Sequence, residues 1–209
     1  MQPSETALLA TLDADELFML GVRASTSNDP AAALAYLKQA VVKAPEHARA
    51  HWLLGAEYAS LGMVDRARAG FERAVELDPD LHLARFQLGL LRLTSGDVEA
   101  AQDTWGPLDV LPEADPVRLF RDGLLHMVRD EFPQALEAVR QALATPGLDA
   151  ALKRDMEMVL GRIEAAHEHR PGGAGPEAGT PLQPAEPEAP AESHLVLSAY
   201  QRGFPSSSH

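Results

Sequence analysis

The sequence predicts an all-α solenoid of stacked helix–turn–helix units. Three observations carry that prediction. Glycines recur 34 residues apart, at Gly21, Gly55, Gly89 and Gly123. Twelve residues after each stands an alanine: Ala33, Ala67, Ala101 and Ala135. Three residues before each stands an aromatic: Phe18, Trp52, Phe86 and Phe120. A fixed period of this length marks a repeat array rather than a single-core enzyme domain.

Residues 1–13 are expected to cover one end of the array, through a short helix around Ser4–Thr11. Four repeats follow at 14–47, 48–81, 82–115 and 116–149. Within each unit the chain must reverse between its two helices, at Asn28, Gly62, Gly96 and Asp130. All four belong to types that tolerate the left-handed backbone needed at a helix C-terminus. Pro30 and Pro133 stand where second helices begin, a position with no hydrogen-bond donor to lose. Asp97 is a cap for the second helix of the third unit, and Pro45 and Pro79 end second helices. Gly106-Pro107 falls inside the second helix of the third repeat. An interior proline costs about 3 kcal/mol in a regular helix, so that helix should stop or kink near Trp105. Pro112 and Pro116 then make the link into the fourth repeat irregular. Residues 150–169 read as a capping helix, with Leu152, Met156, Val159, Leu160 and Ile163 at helical spacing. Such a cap covers the apolar face that a terminal repeat exposes.

The second unit is the best formed. It reads His51-Trp52-Leu53-Leu54-Gly55-Ala56-Glu57-Tyr58, then Gly62, Ala67, Phe71, Ala74 and Pro79. This resembles the tetratricopeptide repeat, whose pattern is a Leu-Gly pair, a tyrosine, a second glycine, then alanine, aromatic, alanine and proline. The first repeat matches through Leu20, Gly21, Ala33, Leu37, Ala40 and Pro45, and the third through Leu88, Gly89, Gly96, Ala101 and Trp105. The fourth, with Gly123, Ala135, Val139 and Ala142, is weakest. The resemblance covers about residues 14–149. It implies a right-handed α-solenoid that works by binding other proteins. A glycine on the first helix and an alanine on the second, such as Gly55 and Ala67, would let the two backbones approach.

In that family the first helices line a concave groove that holds extended peptides or helices. Carried over, the groove comprises Phe18 and Val22; Trp52 and Ala56; Phe86, Leu90 and Leu93; Phe120, Leu124 and Met127. Ser25 and Ala59 occupy the remaining equivalent places. These positions share one helix face, and the groove they predict is apolar. An apolar surface of that extent marks an interaction site. One subclass of the family grips carboxylate tails with lysine, asparagine and arginine. Phe18, Val22, Ala56, Phe86 and Leu90 stand at the corresponding places here, so the expected ligand is an apolar peptide or helix of another protein. The same aromatics could instead pack between adjacent first helices.

The chain has 209 residues and no cysteine, which removes disulfide and thiol chemistry. Net charge is −13, with no basic stripe for nucleic acid. Met1–Leu12 contains neither lysine nor arginine and carries Glu5, unlike a secretory signal. No apolar run is long enough to span a bilayer. A cytoplasmic location is expected, and the alanine- and arginine-rich composition points to a bacterial source. His167-Glu168-His169 is read as a solvated helix end, since side chains two apart on a helix diverge. His47 and His51 are read as surface residues. With no Ser-His-Asp set, no phosphate loop and no metal-ligand spacing, no enzyme activity, cofactor or metal is expected.

Residues 170–192 are predicted to be a disordered linker of Pro, Gly and Glu. Residues 193–209 turn apolar again, and Leu195, Val196, Leu197 and Tyr200 form a candidate docking motif. Three functions follow. The leading one is an adaptor or chaperone-like binder of an apolar segment of another protein. The alternatives are a self-associating scaffold whose tail docks in its own or a neighbour's groove, and a noncatalytic subunit of an enzyme or secretion complex.

Overall fold

Each turn between paired helices is built the same way. The residue that leaves the first helix is left-handed: φ is 56° at Asn28, 71° at Gly62, 89° at Gly96 and 59° at Asp130. At each turn the next residue's N–H reaches back to a carbonyl of the preceding helix. Asp29 donates to Ala24 at 2.9 Å, Met63 to Tyr58 at 2.8 Å, Asp97 to Arg92 at 3.0 Å and Glu131 to His126 at 2.9 Å. The left-handed residue itself donates to the carbonyl three residues earlier, at Ser25, Ala59, Leu93 and Met127. This paired bonding satisfies carbonyls that a helix end would leave bare.

The computed structural model describes residue 9, residues 11–148 and residues 150–168. Residues up to Leu108 and residues from Asp109 belong to two compact units. In the first, helices α1 (Ala14–Thr26), α2 (Pro30–Lys43), α3 (Ala48–Ser60), α4 (Val64–Leu77), α5 (His82–Thr94) and α6 (Val98–Trp105) form three helical hairpins. A 3-10 turn, Gly106–Val110, follows α6. The second unit holds α7 (Pro116–Val128), α8 (Phe132–Leu143) and α9 (Ala150–Glu168). Among the described residues there is no strand. The fold is an α-solenoid of helical repeats.

Side chains set several of the helix starts. Asp13 accepts from the Glu16 N–H while Glu16 accepts from the Asp13 N–H, a reciprocal capping box at α1. Asp29, Asp97 and Asp115 cap α2, α6 and α7 through their carboxylates. Pro30 and Pro116 are first residues of α2 and α7 and Pro133 is the second of α8, where no intrahelical donor is lost. Regular α-helix stops at Trp105, because Pro107 lacks the N–H that would continue it.

Within each hairpin the repeated glycine accommodates the residue sixteen positions on. A Cβ on Gly21 would sit 2.6 Å from a Leu37 methyl, one on Gly55 2.9 Å from the Phe71 ring, and one on Gly123 2.6 Å from a Val139 methyl. On Gly89 it would overlap the Trp105 indole. Leu37, Phe71, Trp105 and Val139 are all buried. Burying such a side chain stabilises the fold by roughly 1.5–3 kcal/mol. Backbones approach most closely at Gly70, where an added Cβ would lie 2.8 Å from Gly55 Cα and 3.0 Å from the His51 carbonyl. The small partner of Gly55 across α3 and α4 is therefore Gly70 as well as Ala67, whose carbonyl lies 3.1 Å from a Gly55 Cβ.

Polar contacts lock neighbouring helices. Arg92 on α5 reaches Glu72 on α4 at 3.1 Å and Thr104 on α6 at 2.6 Å. In the second unit, buried Arg121 pairs with Asp109 and Asp122, each at 2.7 Å, and holds the Asp109 carboxyl below its ordinary range. Arg118 donates to the Leu111 carbonyl at 2.7 Å. Helix α9 packs on α8, burying Met156, Val159 and Ile163, with Arg140 paired to Glu164 at 2.8 Å.

Candidate interaction surface

Helices α1, α3 and α5 are the first helices of successive hairpins, so equivalent positions recur along one face of the first unit. The residue just after the repeated glycine is Val22 on α1, Ala56 on α3 and Leu90 on α5. Val22 and Ala56 are half-buried, whereas Leu90 is 3% exposed. The aromatic positions divide similarly. Phe18 and Phe86 are buried and Trp52 is half-buried. Leu93, further along α5, is also buried.

Each aromatic has a defined setting. Phe18 lies 5.0 Å from the His47 ring, with the Arg49 guanidinium 5.0 Å from its centroid. Phe86 stacks on Trp105 at 5.9 Å, and the Trp105 indole N–H donates to the Phe86 carbonyl at 2.9 Å. Trp52 donates through its indole N–H to the Gln87 side-chain carbonyl at 2.5 Å, tying α3 to α5. Val22, Trp52 and Ala56 all pack on the core cluster that contains Phe18 and Leu54. Each of these three side chains is in contact with the core and still partly open to solvent.

The second unit carries the other positions. Phe120 and Leu124 on α7 are fully buried and Met127 is half-buried. Beside α7 and α8 lies an open cavity of about 460 Å³ lined by Leu119, Asp122, His126, Pro133, Glu137 and Ala138, among others. His126 pairs there with Glu131 at 2.6 Å. The motif at Leu195, Val196, Leu197 and Tyr200 lies outside the described residues. Among the described residues, no group of three or more His, Cys, Asp or Glu is placed to hold a metal ion. No helix among them is long and apolar enough to cross a membrane.

Glu57 was not singled out from the sequence and matters here. It follows Ala56 on α3, is 7% exposed, and accepts a hydrogen bond from the Ser25 hydroxyl on α1. Its only sequence signal is a carboxylate inside the otherwise uncharged run Trp52–Tyr58. Burial raises its carboxyl above the ordinary 4.5, and the Ser25 bond offsets part of that rise. A raised folded value means that the folded state binds the proton more tightly. The resulting stability is complete below the unfolded value and is lost as pH climbs through the raised one. Glu57→Gln removes this dependence. Thermal melts should show the variant gaining on the parent as pH rises above 4.5. A parent–variant difference that stays flat with pH would contradict this.

The Tetratricopeptide repeat pattern matches residues 18–82 and 57–106. No curated protein matches the chain. Among solved structures, MamA from Desulfovibrio magneticus RS-1 (residues 41 to end) is similar, with 20% identity and a TM-score of 0.53. The likeness covers 74% of this chain and 85% of that one. A double mutant described as MamA RS-1 ArsTM is similar at 19% identity and TM-score 0.53, over 75% of this chain and 85% of that one. At such identities the likeness speaks to the fold alone.

Proposed function

From the tetratricopeptide-repeat match over residues 18–82 and 57–106, we propose that the chain holds an apolar segment of another protein on the first-helix face. The repeats make it a protein-interaction module. The finer reading is a non-enzymatic, cytoplasmic adaptor or chaperone-like binder. The single observation that carries it is that Val22, Trp52 and Ala56, at equivalent first-helix positions, are half-buried apolar side chains packed on one core cluster. The Trp52 indole is already fixed by Gln87, so less side-chain freedom is lost when a ligand arrives. A rigid aromatic anchor beside small and aliphatic neighbours suits a Leu-, Val- or aromatic-bearing helix or strand. Phe18, Phe86, Leu90, Leu93, Phe120 and Leu124 are buried, so in this reading they support their helices from within, and half-buried Met127 is the position in the second unit left to meet a ligand.

Ala56→Glu tests this reading. The substitution puts a charge at a half-buried first-helix position without emptying the core. The full-length parent and variant are each immobilised and exposed to lysate of the source cells. A protein held by the parent should fall at least about tenfold on the variant, the loss expected for roughly 1.4 kcal/mol. Circular dichroism should stay unchanged. Equal capture by both would overturn the assignment.

A further inference from the structure

We propose that the cavity beside α7 and α8 binds a lysine side chain of another protein, its ammonium held by Asp122, His126 and Glu137. The site lies in the second unit and is independent of the reading of Val22, Trp52 and Ala56.

One register position sets the fourth repeat apart. The residue before the repeated glycine is Leu20, Leu54 and Leu88 in the first three repeats, and each packs on a core cluster. In the fourth it is Asp122, which lines the open cavity of about 460 Å³. That volume falls within the range of ligand pockets. A carboxylate in the place of a packing leucine gains nothing from an apolar neighbour and calls for a polar or charged one.

The lining has two kinds of surface. Leu119, Pro133 and Ala138 supply aliphatic walls, and Asp122, His126 and Glu137 supply acceptors. Arg121 reaches Asp122 at Oδ1, through Nε at 2.8 Å and Nη2 at 2.7 Å. Gln141 donates to Glu137 Oε1 at 2.6 Å. A carboxylate only accepts, so the 2.6 Å contact between His126 Nδ1 and Glu131 places a proton on Nδ1. In the neutral imidazole Nε2 is then an acceptor. Among the described residues, Asp122 Oδ2, Glu137 Oε2 and His126 Nε2 have no hydrogen-bond partner. The charge around them is negative. Asp109 and Asp122 share the single guanidinium of Arg121, and the described residues that line the cavity include no lysine or arginine.

An alkylammonium matches this lining. Its stem can lie along aliphatic walls while its head stays polar, and its three N–H groups equal the open acceptors in number. A guanidinium pairs best with both oxygens of one carboxylate, and here each carboxylate has one oxygen already taken. The lining therefore favours lysine over arginine.

Amide NMR of the full-length chain, titrated with Nα-acetyl-lysine amide, tests this. Signals of Leu119, His126 and Ala138 should shift saturably, with a Kd on the order of a few mM for so small a probe. Nα-acetyl-norleucine amide, which has the stem without the ammonium, should not bind. Glu137→Lys should weaken binding at least about tenfold. Glu168→Lys makes the same charge change at an exposed position of α9 and should alter binding by less than about twofold. Glu137 is exposed, so the fold should survive both changes, and Glu137→Gln should fall between parent and Glu137→Lys. No saturable shift, equal binding of the norleucine probe, or equal weakening by Glu137→Lys and Glu168→Lys overturns the proposal. Tighter binding of Nα-acetyl-arginine amide overturns the choice of lysine. Spermidine binding more than about tenfold tighter than the lysine probe overturns the choice of a protein partner and assigns the cavity to a free polyamine.

Discussion

Trp105→Ala should cost about 3–5 kcal/mol in denaturant unfolding, the range for removing a large buried aromatic. The indole fills the place left by Gly89, stacks on Phe86 and donates to the Phe86 carbonyl. Truncation removes all three contacts and opens a cavity that Gly89 has no side chain to fill. Such a loss is a large share of a total stability of about 5–15 kcal/mol. Trp105→Phe keeps the stack and drops the hydrogen bond, so it should cost less, about 1–2 kcal/mol. The remaining Trp52 reports both transitions by fluorescence. Parent-like stability of Trp105→Ala would mean that α5 and α6 are not held by this side chain.

The second expectation concerns a glycine whose substitution has opposite local and tertiary consequences. In an isolated helix Gly70→Ala would stabilise by about 0.8–1.0 kcal/mol. In the folded chain the new Cβ meets Gly55 Cα and the His51 carbonyl, both backbone. Neither can rotate away, so α3 and α4 must separate. Overpacking of this kind costs about 1–3 kcal/mol. The matched control is Gly161→Ala on α9, where nothing lies within 4 Å. That change should stabilise by about 0.5–1 kcal/mol. Opposite signs in the two melts support a backbone crossing at Gly70. Stabilisation by both would remove it.

Much of the first-helix architecture is written in short-range chemistry. Asn28, Gly62, Gly96 and Asp130 reverse the chain because their own residue types tolerate positive φ. Asp97 and Pro30 mark helix starts for reasons confined to a single turn. Gly70 gave no such warning. It lies outside the 34-residue glycine register, and its role depends on a backbone fifteen residues away that only helix crossing brings near. Glu57 was hidden likewise, since a glutamate on a helix reads as solvated until Ser25 and the neighbouring first helix close over it.

The sequence by itself determined the repeat, the turn and cap chemistry, and which first-helix positions are apolar. Only the tertiary structure decided how open each of those positions is. Val22, Ala56 and Leu90 follow the same glycine in successive repeats, yet the first two are half-buried and the third is 3% exposed. Likewise, Trp52 is held by Gln87 and left partly open, while Phe86 is sealed against Trp105. Turns and caps act across a few covalent bonds. Exposure depends instead on which distant surfaces come to lie over a side chain, and that is set when helices pack.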